Sequence, residues 1–208
     1  MMPGPDYIYQ CPKCSNLLRK GSLWSGNTYG GELYSDGKIV APMLPEFPNL
    51  TKCKKCDEIL WLSDMEQLGT DENTKPEWEI ADQVEFLGVP DLLRFLEWDS
   101  VKNNAEKEEY VRFHIWQTFN DRIREKSQIF IQKSEEVLWK QNCQRLIELC
   151  DTTVINQKIM VAELYRNLED FDTCVDILDS VDDKSYDWVV EKLRIECENM
   201  NRYVVRLN

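Results

Sequence analysis

Val111, Ile115, Phe119 and Ile123 recur every four residues, with Trp116 beside them and mostly charged or polar residues between. An α-helix turns once in 3.6 residues, so this spacing gathers the apolar side chains on one face and predicts an amphipathic helix from Glu106 to about Glu125. Trp139, Cys143, Leu146 and Cys150 follow at spacings of four, three and four and predict a second helix from about Ser134. Ser134 suits its N-cap, with Glu135 and Glu136 in the first turn. Upstream, "PDLLRFLEW" reads as a short helix starting near Pro90, because proline fits a first helical turn. Near the end, "SYDWVVEKLRIECENM" places Leu193, Cys197 and Met200 on one further helical stripe.

The first 62 residues have a different pattern. In "GELYSDGKIVA", Asp36-Gly37 lies between two short β-prone runs, which predicts a two-residue hairpin with strands near Glu32–Ser35 and Lys38–Ala41. Pro42, Pro45 and Pro48 then mark an extended loop, and "EILWL" is a third strand. Residues 63–89 carry little periodicity and much acid, the composition of a connection. The expected organisation is α+β: a small β-rich unit over 1–62, an acidic connection over 63–89 and an all-α region over 90–208.

Charge divides the chain the same way. Through Leu62, seven Lys and Arg face six acids, whereas the rest holds 18 basic and 32 acidic residues. A surface that acidic repels a phosphate backbone, so a nucleic-acid role would have to reside in the first 62 residues. No apolar run approaches the roughly 20 residues that span a bilayer, and "MMPGPDYIYQ" lacks a basic region followed by an apolar one. The expectation is a cytoplasmic protein with no membrane association.

Cys11 and Cys14 in "CPKC", and Cys53 and Cys56 in "CKKC", are the strongest chemical signal. Two intervening residues let both sulfurs of a tight turn face one metal, and two such pairs supply four thiolates, the donor set of a structural zinc ion. A redox dithiol and an iron centre are the alternatives. The arrangement resembles a zinc ribbon, in which glycine often follows the second cysteine of each knuckle. Ser15 and Asp57 stand there instead, and Asp tolerates left-handed backbone geometry better than most residues. The resemblance implies one structural zinc held by Cys11, Cys14, Cys53 and Cys56. A set of four cysteines leaves no open position for substrate.

Cys143, Cys150, Cys174 and Cys197 fall on apolar helical stripes, where a thiol packs as a small hydrophobe. His114, the one histidine, sits between Phe113 and Ile115 and reads as packing. No nucleophile elbow, phosphate-binding glycine loop or His-Glu-x-x-His is present, and "GNTYGG" is turn chemistry. Trp24, Tyr29, Tyr34, Phe47 and Trp61, interspersed with Arg19, Lys20, Lys52, Lys54 and Lys55, can fill a small core, meet a peptide or stack on bases.

The stretch "QKIMVAELYRNLEDFDTCVDILDSV", Gln157 to Val181, resembles one tetratricopeptide repeat. Val161, Ala162, Tyr165, Phe171, Cys174, Leu178 and Val181 occupy its packing positions, and Glu169 replaces its turn glycine. The whole chain resembles bacterial proteins that pair a Cys-x-x-Cys ribbon with a helical tail, a resemblance that implies no activity. The expected function is therefore a non-catalytic, zinc-stabilised scaffold whose helical region binds a protein or peptide partner. A nucleic-acid-linked regulator reading through the ribbon, or a redox or metal-handling protein, is the alternative.

Overall fold

The computed structural model describes residues 1–73 and 75–208. Among these, ten short strands precede seven α-helices, with about 46% of residues helical and 15% in strands, an α+β architecture. The chain sorts into two compact units, Met1–Gly31 with Val40–Asp91, and Glu32–Ile39 with Leu92–Asn208.

The first unit holds β1 (Met2–Pro3), β2 (Tyr7–Gln10), β3 (Leu17–Lys20) and β4 (Leu23–Ser25). After β5 (Glu32–Leu33) and β6 (Ile39–Val40), it continues with β7 (Leu50–Lys52), β8 (Ile59–Trp61), β9 (Gln67–Thr70) and β10 (Asp82–Gln83). A four-stranded sheet runs β10-β3-β2-β9, and β7 pairs with β8 as a separate antiparallel ribbon. The acidic stretch after Leu62 thus supplies two strands to this sheet. Its anchor is Trp78, buried against Gly69, where an added Cβ would lie 2.6 Å from the indole ring. The core is small, with Tyr9, Leu18, Leu60, Leu62 and Val84 packing around Cys11 and Cys53.

The helices are α1 (Val89–Leu96), α2 (Asp99–Lys102), α3 (Ala105–Arg124), α4 (Lys133–Leu149), α5 (Ile155–Asn167), α6 (Phe171–Asp179) and α7 (Asp187–Glu198). Val111, Ile115, Trp116 and Phe119 are buried along α3, as the four-residue stripe predicts. Ser134 is not the cap of α4. The helix begins one residue earlier after Gln132, and Glu135 orders its first turn by accepting the Ile131 N–H at 2.6 Å and a fork from Arg122 at 2.9 and 3.0 Å. Ile159, Ala162, Cys174, Leu178, Val189, Leu193 and Cys197 join α5, α6 and α7 in one apolar cluster.

Three of these helices end alike. Lys126, Glu169 and Met200 have φ of 59°, 68° and 51°. The amides of the residues after them reach back to the carbonyls of Arg122, Tyr165 and Glu196 at 2.8, 3.0 and 2.9 Å. This is the Schellman closure, in which a left-handed residue, usually glycine, lets the chain turn back on the last helical carbonyls.

The Asp36-Gly37 hairpin forms, but its loop has three residues. Gly37 accepts a left-handed φ of 77°, its amide donates to the Tyr34 carbonyl, and Tyr34 N–H donates to Lys38 O at 2.9 Å. Asp36 keeps a negative φ, so the loop is a type I turn followed by a glycine bulge instead of a two-residue turn. The hairpin belongs to the helical unit. Asp36 accepts from Asn120 at 3.0 Å and from Arg124 at 2.9 Å. Ser35 Oγ donates to Glu163 at 2.7 Å and accepts the Val205 N–H at 3.0 Å.

Glu163, Arg166 and Asn167 are fully buried on α5. Arg166 pairs with Glu163 at 2.6 and 2.8 Å and donates to the carbonyls of Asn201 and Tyr203, while Asn167 bonds Glu163, Arg202 O and Trp116 Nε1. A buried charge is tolerated only when paired and fully hydrogen-bonded, and this network meets that condition while tying the C-terminal tail to α5.

Candidate functional site

Each cysteine pair is the tip of its own antiparallel hairpin, β2–β3 for Cys11 and Cys14 and β7–β8 for Cys53 and Cys56. The two tips have the same backbone. Cys11 N–H donates to Asn16 O and Cys53 N–H to Glu58 O, both at 2.8 Å; Ser15 N–H donates to Cys11 O and Asp57 N–H to Cys53 O, both at 2.9 Å. Ser15 and Asp57 each have φ of 58°, so the residues standing in place of glycine do adopt the left-handed conformation that glycine favours.

The four Sγ atoms lie within 4.8 Å of one another, and Cys11–Cys56 and Cys14–Cys53 approach to 3.6 Å. A tetrahedral ion with metal–sulfur bonds of about 2.3 Å requires sulfurs about 3.8 Å apart, so the cluster fits such an ion. Amides point the same way. Those of Lys13 and Cys14 approach the Cys11 sulfur, that of Asn16 the Cys14 sulfur and that of Glu58 the Cys56 sulfur. N–H donors at the sulfurs favour thiolates and orient them. Without a cation the thiols cannot all ionise. Although desolvation opposes it, the Asn16 amide and the neighbouring thiols hold Cys14 at about 7, while burial raises Cys11. Cys56 is pushed up to about 12: the Glu58 amide favours its thiolate, but desolvation and the other three sulfurs outweigh it. A divalent cation removes that mutual penalty.

Three of the lysines around these tips are paired with carboxylates, and Lys55 is exposed. Lys13 pairs with Glu58 at 2.8 Å, Lys52 with Asp91 at 2.8 Å and Lys54 with Glu85 at 2.6 Å. Trp24 and Tyr29 are exposed, whereas Trp61 and Phe47 are partly buried, Phe47 over Gly21.

The remaining cysteines are not members of this cluster and belong to the helical unit. Cys143, Cys174 and Cys197 are buried and Cys150 half-buried, with Cys174 and Cys197 sulfurs 3.4 Å apart inside the α5–α7 cluster. Burial pushes Cys150 up to about 12 and also raises Cys174. High thiol pKa values of this kind mark unreactive packing groups. His114 stacks edge-on to Tyr110 and Phe113, with centroids 4.3 and 5.9 Å away. Burial, then Lys38, lowers it to about 4 against the pull of Asp121.

One feature of the helical unit had no sequence signal. A groove of about 650 Å³ opens between the hairpin, α3, α5 and the start of α7, lined by Tyr34, Ile39, Phe113, Met160, Tyr186 and Trp188 among others. Its lining is mostly apolar, yet Trp188 is 49% and Ile39 40% exposed. These residues come from four separate stretches and share no local pattern.

Among the described residues no helix is long and apolar enough to cross a membrane. Comparison with protein-family models, curated proteins and solved structures gives no match, so the functional reading rests on these residues.

Proposed function

We propose that this chain is a non-catalytic interaction module in which a zinc ribbon stabilises the first unit and the helical unit binds a protein or peptide partner. In this reading Cys11, Cys14, Cys53 and Cys56 hold one zinc ion: the closed, amide-cradled donor set suits a structural ion over a redox dithiol, and the elemental analysis below distinguishes zinc from iron, which the same four thiolates can bind. The α5–α6 pair followed by α7 is read as a tetratricopeptide-like helical hairpin array: Ala162, Cys174 and Leu178 are buried at its packing positions and Tyr165, Phe171 and Val181 pack against them.

The observation that carries the partner reading is the apolar groove with the half-exposed Trp188 at its mouth. Concave apolar surfaces with exposed aromatics are where binding energy concentrates. The pairing of Lys52 and Lys54 with carboxylates favours a protein partner over a phosphate backbone.

Two measurements test this. Elemental analysis should give one zinc per chain, and cobalt substitution the charge-transfer spectrum of a four-thiolate site. Affinity capture should then be run with the full-length protein and its Trp188→Ala variant, with and without nuclease. Binding that survives nuclease and is lost in Trp188→Ala supports the reading. Binding that vanishes with nuclease and depends on Lys54 and Lys55 would make the ribbon the reader and overturn it.

A further inference from the structure

The charge around the groove specifies its occupant further. Between Glu169 and Glu191 the chain carries nine acids (Glu169, Asp170, Asp172, Asp176, Asp179, Asp182, Asp183, Asp187 and Glu191) and one base, Lys184. Asp182, Asp183, Asp187 and Glu191 are exposed, and they flank Tyr186 and Trp188. On α7, Asp187 and Glu191 lie one turn apart, and Glu191 is three residues from Trp188, so the carboxylates border the same aromatic that opens the groove. Of the nearby bases, Lys38 is matched by Asp121, Arg206 by Glu32, Lys192 by Glu196 and Arg194 by Asp179, while Lys158 donates to the Ser180 carbonyl and Lys184 stands exposed among the acids. Glu169 and Asp179 are paired with Arg202 and Arg194, which leaves Asp182, Asp183, Asp187 and Glu191 as the exposed excess of negative charge over Lys184.

We propose that the groove takes a basic peptide segment of a partner protein, its large apolar side chains seated beside Trp188 and Met160 and its flanking Lys or Arg met by Asp183, Asp187 and Glu191. This rests on reading the helical unit as an interaction module and names the chemistry of its ligand. The apolar lining supplies the affinity, and the carboxylates at the rim select sign and accelerate encounter. A second copy of the chain is a poorer occupant, because a two-fold contact through this face sets the same acidic rim against itself. Nucleic acid meets the same repulsion.

The test uses the full-length, zinc-loaded protein and four labelled 15-residue peptides followed by fluorescence anisotropy. Three share one Leu/Phe spacing and differ in spacer residues, which are Lys/Arg, Ser/Gln or Glu; the fourth keeps Lys/Arg and replaces Leu/Phe by Ser. The Lys/Arg peptide with apolar anchors should bind at least tenfold more tightly than the Ser/Gln peptide at low ionic strength, and the gap should narrow with salt. Asp187→Asn with Glu191→Gln should close most of that gap, and Trp188→Ala should abolish binding. Ile39→Lys, at a half-exposed position on the opposite wall, provides a second check should Trp188→Ala perturb folding. Equal binding of the basic and neutral peptides would overturn the charge inference and leave the groove reading standing. Equal binding of the Ser-substituted basic peptide would overturn it as mere charge attraction. A concentration-dependent dimer abolished by Trp188→Asp would give the groove to a second copy and overturn it. Absence of binding by all four peptides at millimolar concentration would sink both readings.

Discussion

Among the described residues, five other than glycine carry positive φ, namely Ser15, Asp57, Lys126, Glu169 and Met200, and each sits where the chain must turn sharply after a knuckle or a helix. An L-residue with a Cβ is held there at a cost of roughly 1 kcal/mol that glycine avoids. Lys126 is exposed and its backbone closes α3, so Lys126→Gly should stabilise the protein by about 1 kcal/mol, read as a higher urea midpoint. No change, or a loss, would mean that the extra freedom of glycine in the unfolded chain offsets the relief. Glu169 makes a less clean test, because it also pairs with Arg202 at 3.0 Å. His114 gives a pH signature. Its folded pKa of about 4 lies below the unfolded value near 6.5, chiefly through burial. Above pH 6.5 both states are neutral; as pH falls from 6.5 to 4 the unfolded chain takes up a proton that the folded chain refuses, and stability declines. Glu108 and Glu135, held at about 2 chiefly by Arg145 and Arg122 respectively, stabilise above pH 4.5 and lose that contribution only as pH falls toward 2. His114→Gln should therefore flatten the stability profile between pH 6.5 and 4.5 and leave the lower limb steep. An unchanged slope in urea titrations across that window would place the titrating group elsewhere.

At the scale of elements, the two knuckles and the long helices were legible because their signals are local. Two-residue cysteine spacing sets a turn, and a four-residue apolar stripe sets a helix face. The left-handed turn after Cys56 was legible in part, because the zinc-ribbon resemblance puts a glycine there and Asp57 tolerates that geometry, whereas Ser15 after Cys14 carries no such signal and adopts it all the same. The hairpin was legible as a hairpin, but its surroundings were not: Asp36 meets Asn120 and Arg124, 84 and 88 residues away, and no local pattern encodes that. Likewise, β9 and β10 are short, largely polar and without alternation, and the buried Glu163, Arg166 and Asn167 read as surface residues until their partners are known. The groove escaped sequence reading for the same reason. The Asp36 clamp predicts a sizeable effect. Asp36→Ala leaves the Arg124 guanidinium, 6% exposed, with Asp121 as its one carboxylate beside the Gln117 carbonyl, and removes the acceptor of Asn120. The cost should be about 3 kcal/mol, mostly that of a buried charge left poorly paired. Adding Arg124→Met should recover a substantial part of it, because the charge goes with its partner. Additive losses in the double variant would show that the hairpin is held by something other than this pair.

At the scale of the whole molecule, the path of the chain matters more than the boundary between its β-rich and helical stretches. The chain leaves the first unit after Gly31, contributes residues 32–39 to the helical unit and returns at Val40. A fragment of residues 92–208 would contain every residue of the helical unit except those eight. It would lack Asp36, the partner of Arg124 and Asn120, and Ser35, which bonds Glu163 and the Val205 amide. It would also lose the Leu33 carbonyl that accepts the Leu207 N–H at 2.8 Å, and with Tyr34 and Ile39 one wall of the groove. Its helices still bury the α5–α7 cluster, so helical circular dichroism should persist while cooperativity and urea midpoint fall well below those of the helical transition in the full chain. A synthetic peptide of residues 31–41 added in trans should restore part of the lost stability in a saturable manner, and its Asp36→Ala version should not. A fragment as stable as the intact helical unit would mean that the hairpin rests on a core complete without it. Restoration that needs Asp36 would instead establish that the hairpin is an integral part of the helical core, and that a fragment truncated within α1 presents a damaged groove.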